Sequence, residues 1–137
     1  MTGEQLPAPP PTVTPETELF WRATAQGRLL IPRCDDCGTS VWYPRRVCTA
    51  CGGRNLTWTE ATGRGVVYSY TRCHVPAKPY KGIESYFLAY VRLEEGVDVM
   101  TNIVGATEVY VGQPVTVVFS PVDETAALPR FTPTTPP

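Results

Sequence analysis

The residues whose types and spacing carry the clearest chemistry are Cys34, Cys37, Cys48 and Cys51. They form two C-x-x-C pairs, Cys34-Asp35-Asp36-Cys37-Gly38 and Cys48-Thr49-Ala50-Cys51-Gly52, separated by the ten residues from Gly38 to Val47. A C-x-x-C turn lets two thiolates converge at about 2.3 Å on one ion, and the glycine after the second cysteine permits the tight backbone turn of a metal knuckle. Two knuckles supply four soft ligands in a tetrahedron, the closed coordination of structural zinc, with iron as a substitute. All four positions are sulfur, so none is left for water or substrate, and the metal is expected to be structural rather than catalytic. The gap is shorter than the usual about 15–20 residues, yet SVWYPRR has the length for a compact hairpin inside it. Disulfides call for an oxidising compartment, and a thioredoxin-like redox pair does not need two knuckles.

The fifth cysteine, Cys73, stands beside the sole histidine, His74, in YTRCH. Successive strand residues point to opposite faces, which keeps this pair from acting as nucleophile and base. Cys73 is expected to be buried and structural, and His74 to lie on a surface loop or to face a ligand. The chain has no acidic pair placed for acid–base work, no G-x-S-x-G and no glycine-rich phosphate loop; GRG at 63–65 reads as a turn.

The elements that must position the cysteines follow from periodicity and capping. Thr14 as N-cap, Pro15 at the first helical position, Glu16 and Glu18 in the first turn and Gly27 as a stop predict a helix over about 15–26. Leu19, Phe20 and Ala23 share one face of it and Trp21 turns away, either packed or exposed as a docking anchor. Short strands in RLLIPR and NLTWTEA bound the cysteine unit. From Gly65 onward, GVVYSYTRCHV, YFLAYVRLEE, VDVMTNIVG and QPVTVVFSPVD are β-rich. In YFLAYVRL, Phe87, Ala89, Val91 and Leu93 alternate with Tyr86, Leu88, Tyr90 and Arg92, and Glu94-Glu95-Gly96 then turns into a hairpin. A small closed barrel of about five strands fits this run better than a sandwich. Residues 76–85 form a ten-residue loop within it, and loops of that length are more often functional than connective.

Composition narrows the class further. The chain has 137 residues, 42% apolar, with net charge −1 and fifteen prolines. Five prolines lie in residues 1–15 and four in 129–137, so both ends read as extended, mobile, polyproline-like arms. No run of about 18 apolar residues is present, and a soluble, unexported, cytoplasmic protein without membrane association is expected. Residues 22–81 hold ten of the twelve Lys and Arg against three carboxylates, a positive surface that survives metal binding even after four thiolates on a divalent ion are counted. The near-neutral total argues against a sequence-independent polyanion binder.

Taken in order, the proline-flanked helix with Phe-Trp, GRLLIPRCDDCG, WYPRRVCTACGG, LTWTEATGRGVVYSYT, the aromatic strand, NIVG, VGQPVTVVF and LPRF resemble the zinc-ribbon plus OB-fold, acyl-CoA-associated family known as domain of unknown function thirty-five. The similarity runs over about residues 12–132. It implies a mainly β protein: a flexible arm over 1–13, a helix plus rubredoxin-like zinc ribbon over 14–61, a five-stranded OB barrel over 62–131 and a flexible tail over 132–137. It also implies a role as non-catalytic partner of a thiolase-like, lipid-transfer-protein-type aldolase or acyltransferase acting on acyl-CoA esters, steroid side-chain esters among them. Phe20, Trp21, Arg45, Arg46, His74, Lys78 and Lys81 are then candidate contacts to partner or acyl-CoA. Two alternatives stay open: a stand-alone acyl-CoA carrier, and a single-stranded nucleic-acid binder stacking bases on Tyr68, Tyr70, Tyr86 and Tyr90, against which the near-neutral charge counts.

Overall fold

The computed structural model describes residues 6–134. Helix α1 is Glu18–Thr24, shorter than the expected 15–26. Thr14 and Thr17 exchange backbone and hydroxyl hydrogen bonds (Thr17 N–H to the Thr14 carbonyl at 3.0 Å, Thr14 N–H to Thr17 Oγ1 at 3.0 Å), which holds 14–17 as a separate turn and delays the helix. Its end falls where the sequence puts it. Gly27 sits at φ 75°, with Arg28 N–H bonded to the Ala23 carbonyl and Gly27 N–H to the Thr24 carbonyl, both at 3.0 Å, a Schellman motif.

Strands β1 (Leu30–Cys34) and β2 (Leu56–Glu60) pair antiparallel, with Leu30 opposite Glu60 and Cys34 opposite Leu56. Five further strands follow: β3 (Arg64–Cys73), β4 (Tyr86–Leu93), β5 (Asp98–Ile103), β6 (Pro114–Pro121) and β7 (Ala127–Pro133). They close in the order β3-β4-β5-β7-β6, antiparallel except where β5 meets β7 at Ile103 and Phe131, the OB-type barrel. The alternation of β4 is as read, with Phe87, Ala89, Val91 and Leu93 buried, and Gly96 at φ 92° turns the hairpin into β5. GRG is not the expected turn: Gly63, at φ 80°, lies in the link before β3, and Arg64 opens the strand. Gly65 already lies in β3, where a Cβ would sit 2.5 Å from the Arg92 carbonyl oxygen. β3 bulges between Val67 and Ser69, and beyond that point Tyr68 to Arg72 are exposed.

One hydrophobic core joins helix, ribbon base and barrel. Phe20 from α1, Ile31 from β1, and Val91, Val115 and Phe131 from the barrel have no accessible surface. Each such side chain contributes about 1.5–3 kcal/mol of transfer free energy. The far half of the ribbon has a core of only Cys34, Val41 and Cys48, with Leu56 partly covering it.

Three expectations are corrected. The buried face of α1 is Phe20, Trp21, Ala23 and Thr24, not Leu19, Phe20 and Ala23: of the two readings of Trp21 the packed one holds, at 8% exposed, while Leu19 is 39% exposed, because α1 is wedged between ribbon and barrel. The N-terminal arm is anchored at its described end, with Leu6 buried and the carbonyls of Leu6 and Pro7 accepting hydrogen bonds from Arg130 at 3.3 and 2.6 Å. Residues 1–5 lie outside the described residues. The C-terminal strand outruns residue 131, since Thr132 and Pro133 pair with Thr116 and Val115 and Thr134 N–H bonds the Pro114 carbonyl at 3.0 Å; residues 135–137 lie outside the described residues.

Candidate metal centre and adjoining grooves

The two knuckles have the same backbone design. Cys34 N–H bonds the Thr39 carbonyl at 2.9 Å and Gly38 N–H returns to the Cys34 carbonyl at 2.8 Å; in the second knuckle Cys48 N–H bonds the Gly53 carbonyl at 2.8 Å and Gly52 N–H the Cys48 carbonyl at 2.9 Å. Gly38 and Gly52 both sit at φ 78°, which a side chain would strain. β1 delivers Cys34 at its end, and Asp35 N–H to the Asn55 carbonyl at 2.7 Å ties the first knuckle to the segment leaving the second.

The result is four sulfurs within 4.8 Å of one another, with Cys34 to Cys51 and Cys37 to Cys48 each 3.6 Å apart. Four sulfurs placed tetrahedrally at 2.3 Å from zinc stand about 3.8 Å apart, so the donor set and its dimensions fit the ion. Ala50 and Gly53 direct their N–H groups at Cys48 and Cys51 sulfur, both at 3.4 Å. The neighbours of the sulfurs act on them in opposite senses. Thr39, through its hydroxyl and backbone, draws Cys37 down to about 6; at Cys51 the Gly53 backbone hydrogen bond lowers, but the neighbouring Cys34 and Cys37 together with burial outweigh it and push the thiol up to about 12. A divalent ion relieves that crowding by holding all four as thiolates.

Next to the centre, residues 39–47 form a loop with a single bridge from Ser40 to Arg33 rather than the expected compact hairpin, and this loop locks onto α1. Phe20 packs edge-on against Trp21, Trp42 and Tyr43 with centroids 4.8, 5.4 and 5.9 Å away, and Trp21 Nε1 donates to Tyr43 Oη at 3.0 Å. These aromatics open on one side into a groove of about 330 Å³ shared with Tyr80, Met100, Leu128 and Arg130. A second groove, of about 380 Å³, is lined by Arg45, Arg46, Arg54, Leu19 and Trp58.

The candidate contacts are therefore divided. Arg45 and Arg46 share the second groove; Phe20 and Trp21 lie in the core and line the first; His74, Lys78 and Lys81 are exposed between β3 and β4 and line neither. Cys73 is half-buried rather than buried, because it ends β3 opposite Tyr86 where the strand leaves the barrel. Sequence reasoning missed Arg54 and Trp58, whose places in the groove follow from the path of the ribbon. It also missed Arg130, which bonds Leu6, Pro7, Ser120 Oγ and Tyr80 Oη across distant parts of the chain.

A four-thiolate ribbon set on an OB barrel defines the class as a zinc-ribbon OB-fold protein. Family models described as the rubredoxin-like zinc ribbon domain and the C-terminal OB-fold domain of ChsH2 match residues 21–57 and 58–120. A DUF35 domain-containing scaffold protein of Methanocaldococcus jannaschii is 32% identical over 76% of this chain and 77% of its own length. A probable enoyl-CoA hydratase alpha subunit of Thermomonospora curvata is 35% identical over 93% of this chain, which spans only 40% of that relative. Among solved structures, a chain of an Ltp2-ChsH2(DUF35) aldolase superposes with a TM-score of 0.80 at 34% identity, covering 90% of this chain and 98% of that one. The chain belongs to the DUF35 family. No helix among the described residues is long and apolar enough to cross a membrane.

Proposed function

We propose that this chain is the accessory subunit of an acyl-CoA-acting enzyme, and that its partner is a thiolase-like, lipid-transfer-protein-type aldolase or acyltransferase that holds the catalytic residues. The observation that carries the reading is the likeness to the chain of the Ltp2-ChsH2(DUF35) aldolase, which extends over 98% of that chain. The scaffold protein and hydratase alpha subunit among its relatives support the same role. Steroid side-chain thioesters are the substrate class that the family resemblance favours.

The metal is zinc, structural, and replaceable by iron in a recombinant preparation; free cysteines gathered as ligands suit a reducing, cytoplasmic compartment. Exposed Tyr68, Tyr70, Tyr90 and Met100 on the outside of β3, β4 and β5 give the barrel an apolar face of the kind that association covers.

The test is co-expression of a tagged chain with a thiolase-like protein from the same organism, followed by gel filtration. Co-elution of the two chains in fixed ratio is expected. Elution of the chain by itself, with the thiolase-like protein soluble and unaltered without it, overturns the proposal.

A further inference from the structure

The arginines of this chain are almost all committed. Four of the ten pair with carboxylates, and Arg33, Arg45, Arg72 and Arg130 donate to carbonyl or hydroxyl oxygens. Arg46 and Arg54 form no side-chain hydrogen bond or ion pair among the described residues, and both line the 380 Å³ groove between α1 and the ribbon, beside Arg45. Their guanidinium groups do not serve the sulfurs, which take their hydrogen bonds from Ala50 and Gly53 backbone N–H. The one carboxylate on the groove wall, Glu16, is occupied by the Arg46 backbone N–H at 3.0 Å.

Three guanidinium groups around one concavity present the forked donors that match phosphate oxygens. Apart from Glu16 the rest of the lining is apolar: Trp58, half-buried in β2, contributes an indole, with Leu19, Leu56, Pro15 and Pro32. Cationic forks next to an aromatic ring are the pairing that phosphate and base together require, and the groove's volume lies within the about 300–1,000 Å³ of small-molecule sites.

We propose that this groove binds the phosphorylated end of a purine nucleotide, with phosphates on Arg45, Arg46 and Arg54 and the base against Trp58. Two sources share that chemistry, a CoA thioester and a free nucleotide; preference for the first rests on the subunit reading above.

Calorimetric titration of the zinc-loaded full chain with adenosine 3′,5′-bisphosphate, CoA, ADP and inorganic pyrophosphate tests it. Saturable binding is expected, weakened about thirtyfold in R46Q/R54Q by loss of charged hydrogen bonds. Trp58→Leu is expected to weaken the nucleotides and leave pyrophosphate unchanged. Neither Arg46 nor Arg54 holds the fold through its side chain, so zinc content and melting temperature of R46Q/R54Q should match the parent. Tighter binding of CoA and the bisphosphate than of ADP assigns the site to CoA, and equal binding assigns it to free nucleotides; either supports the proposal. Absence of saturable binding, R46Q/R54Q binding like the parent, or a single-stranded oligonucleotide bound more tightly through the same arginines overturns it. If nucleotide binding fails while the partner co-elutes, only the groove assignment falls; if binding holds while co-elution fails, only the subunit reading falls.

Discussion

At the residue scale, the cysteines and Arg130 show what a sequence can and cannot declare. Four ligands at C-x-x-C spacing are local information, because each knuckle closes its own hydrogen bonds within six residues. Cys34→Ser or Cys48→Ser is expected to abolish bound metal, read by elemental analysis, and to remove amide-exchange protection across residues 33–55. Acidification should also release the ion, since protons compete for thiolates. Arg130 was illegible because its partners, the carbonyls of Leu6 and Pro7, are backbone groups more than 120 positions away that carry no side-chain signature. Arg130→Leu leaves those acceptors without their donor, at about 2 kcal/mol; a lower melting temperature and earlier proteolytic cleavage near residue 7 are the expected readouts.

At the element scale, the helix stop at Gly27, the β4 alternation and the hairpin at Gly96 were legible because each is set by neighbours along the chain. The buried face of α1, which takes in Trp21 and leaves Leu19 exposed, was not. A helical face drawn from seven residues assumes one packing partner, whereas α1 has two, the barrel and the Trp42–Tyr43 loop. Gly65 is another long-range constraint: Gly65→Ala drives a methyl into the Arg92 carbonyl and Val91 Cγ1, 2.5 and 2.9 Å from the Cβ position. A loss of about 1–3 kcal/mol by denaturant titration is expected, as for overpacked cores. The β4–β5 hairpin should also respond to acid. Hydrogen bonding to Arg92 holds the Asp98 carboxyl below its ordinary 3.8, and Arg64 then Thr62 hold Glu94 below 4.5. Lowered folded-state values stabilise above the ordinary pKa and lose that contribution as pH falls through the folded one. Amide exchange at residues 93–98 is therefore expected to be unchanged between pH 5 and 7 and to show loss of protection below about pH 4, after correction for intrinsic rates. The effect is small, because the pairs are exposed.

At the scale of the whole molecule, helix, ribbon base and barrel share one core, while the metal end of the ribbon has three buried residues of its own. Chelation should therefore be selective. Removal of zinc is expected to unfold residues 33–55 and leave the barrel's β-sheet circular dichroism intact; collapse of both together would show that the barrel depends on the metal. The same division explains the pattern of inference. The ribbon and the barrel were readable as units from spacing and alternation, but the two grooves were not, since they arise only where α1 and the 39–47 loop meet the strands.

A chain that acts through a partner should change what that partner does. The most direct measurement is the cleavage or acyl-transfer rate of a thiolase-like enzyme on its acyl-CoA substrate, assayed alone and with the purified zinc-loaded chain. The account expects activity to appear, or the partner to stay soluble, only when both chains are present in a stable complex. Full activity and solubility of the partner alone, unchanged when this chain is added in excess, would contradict it.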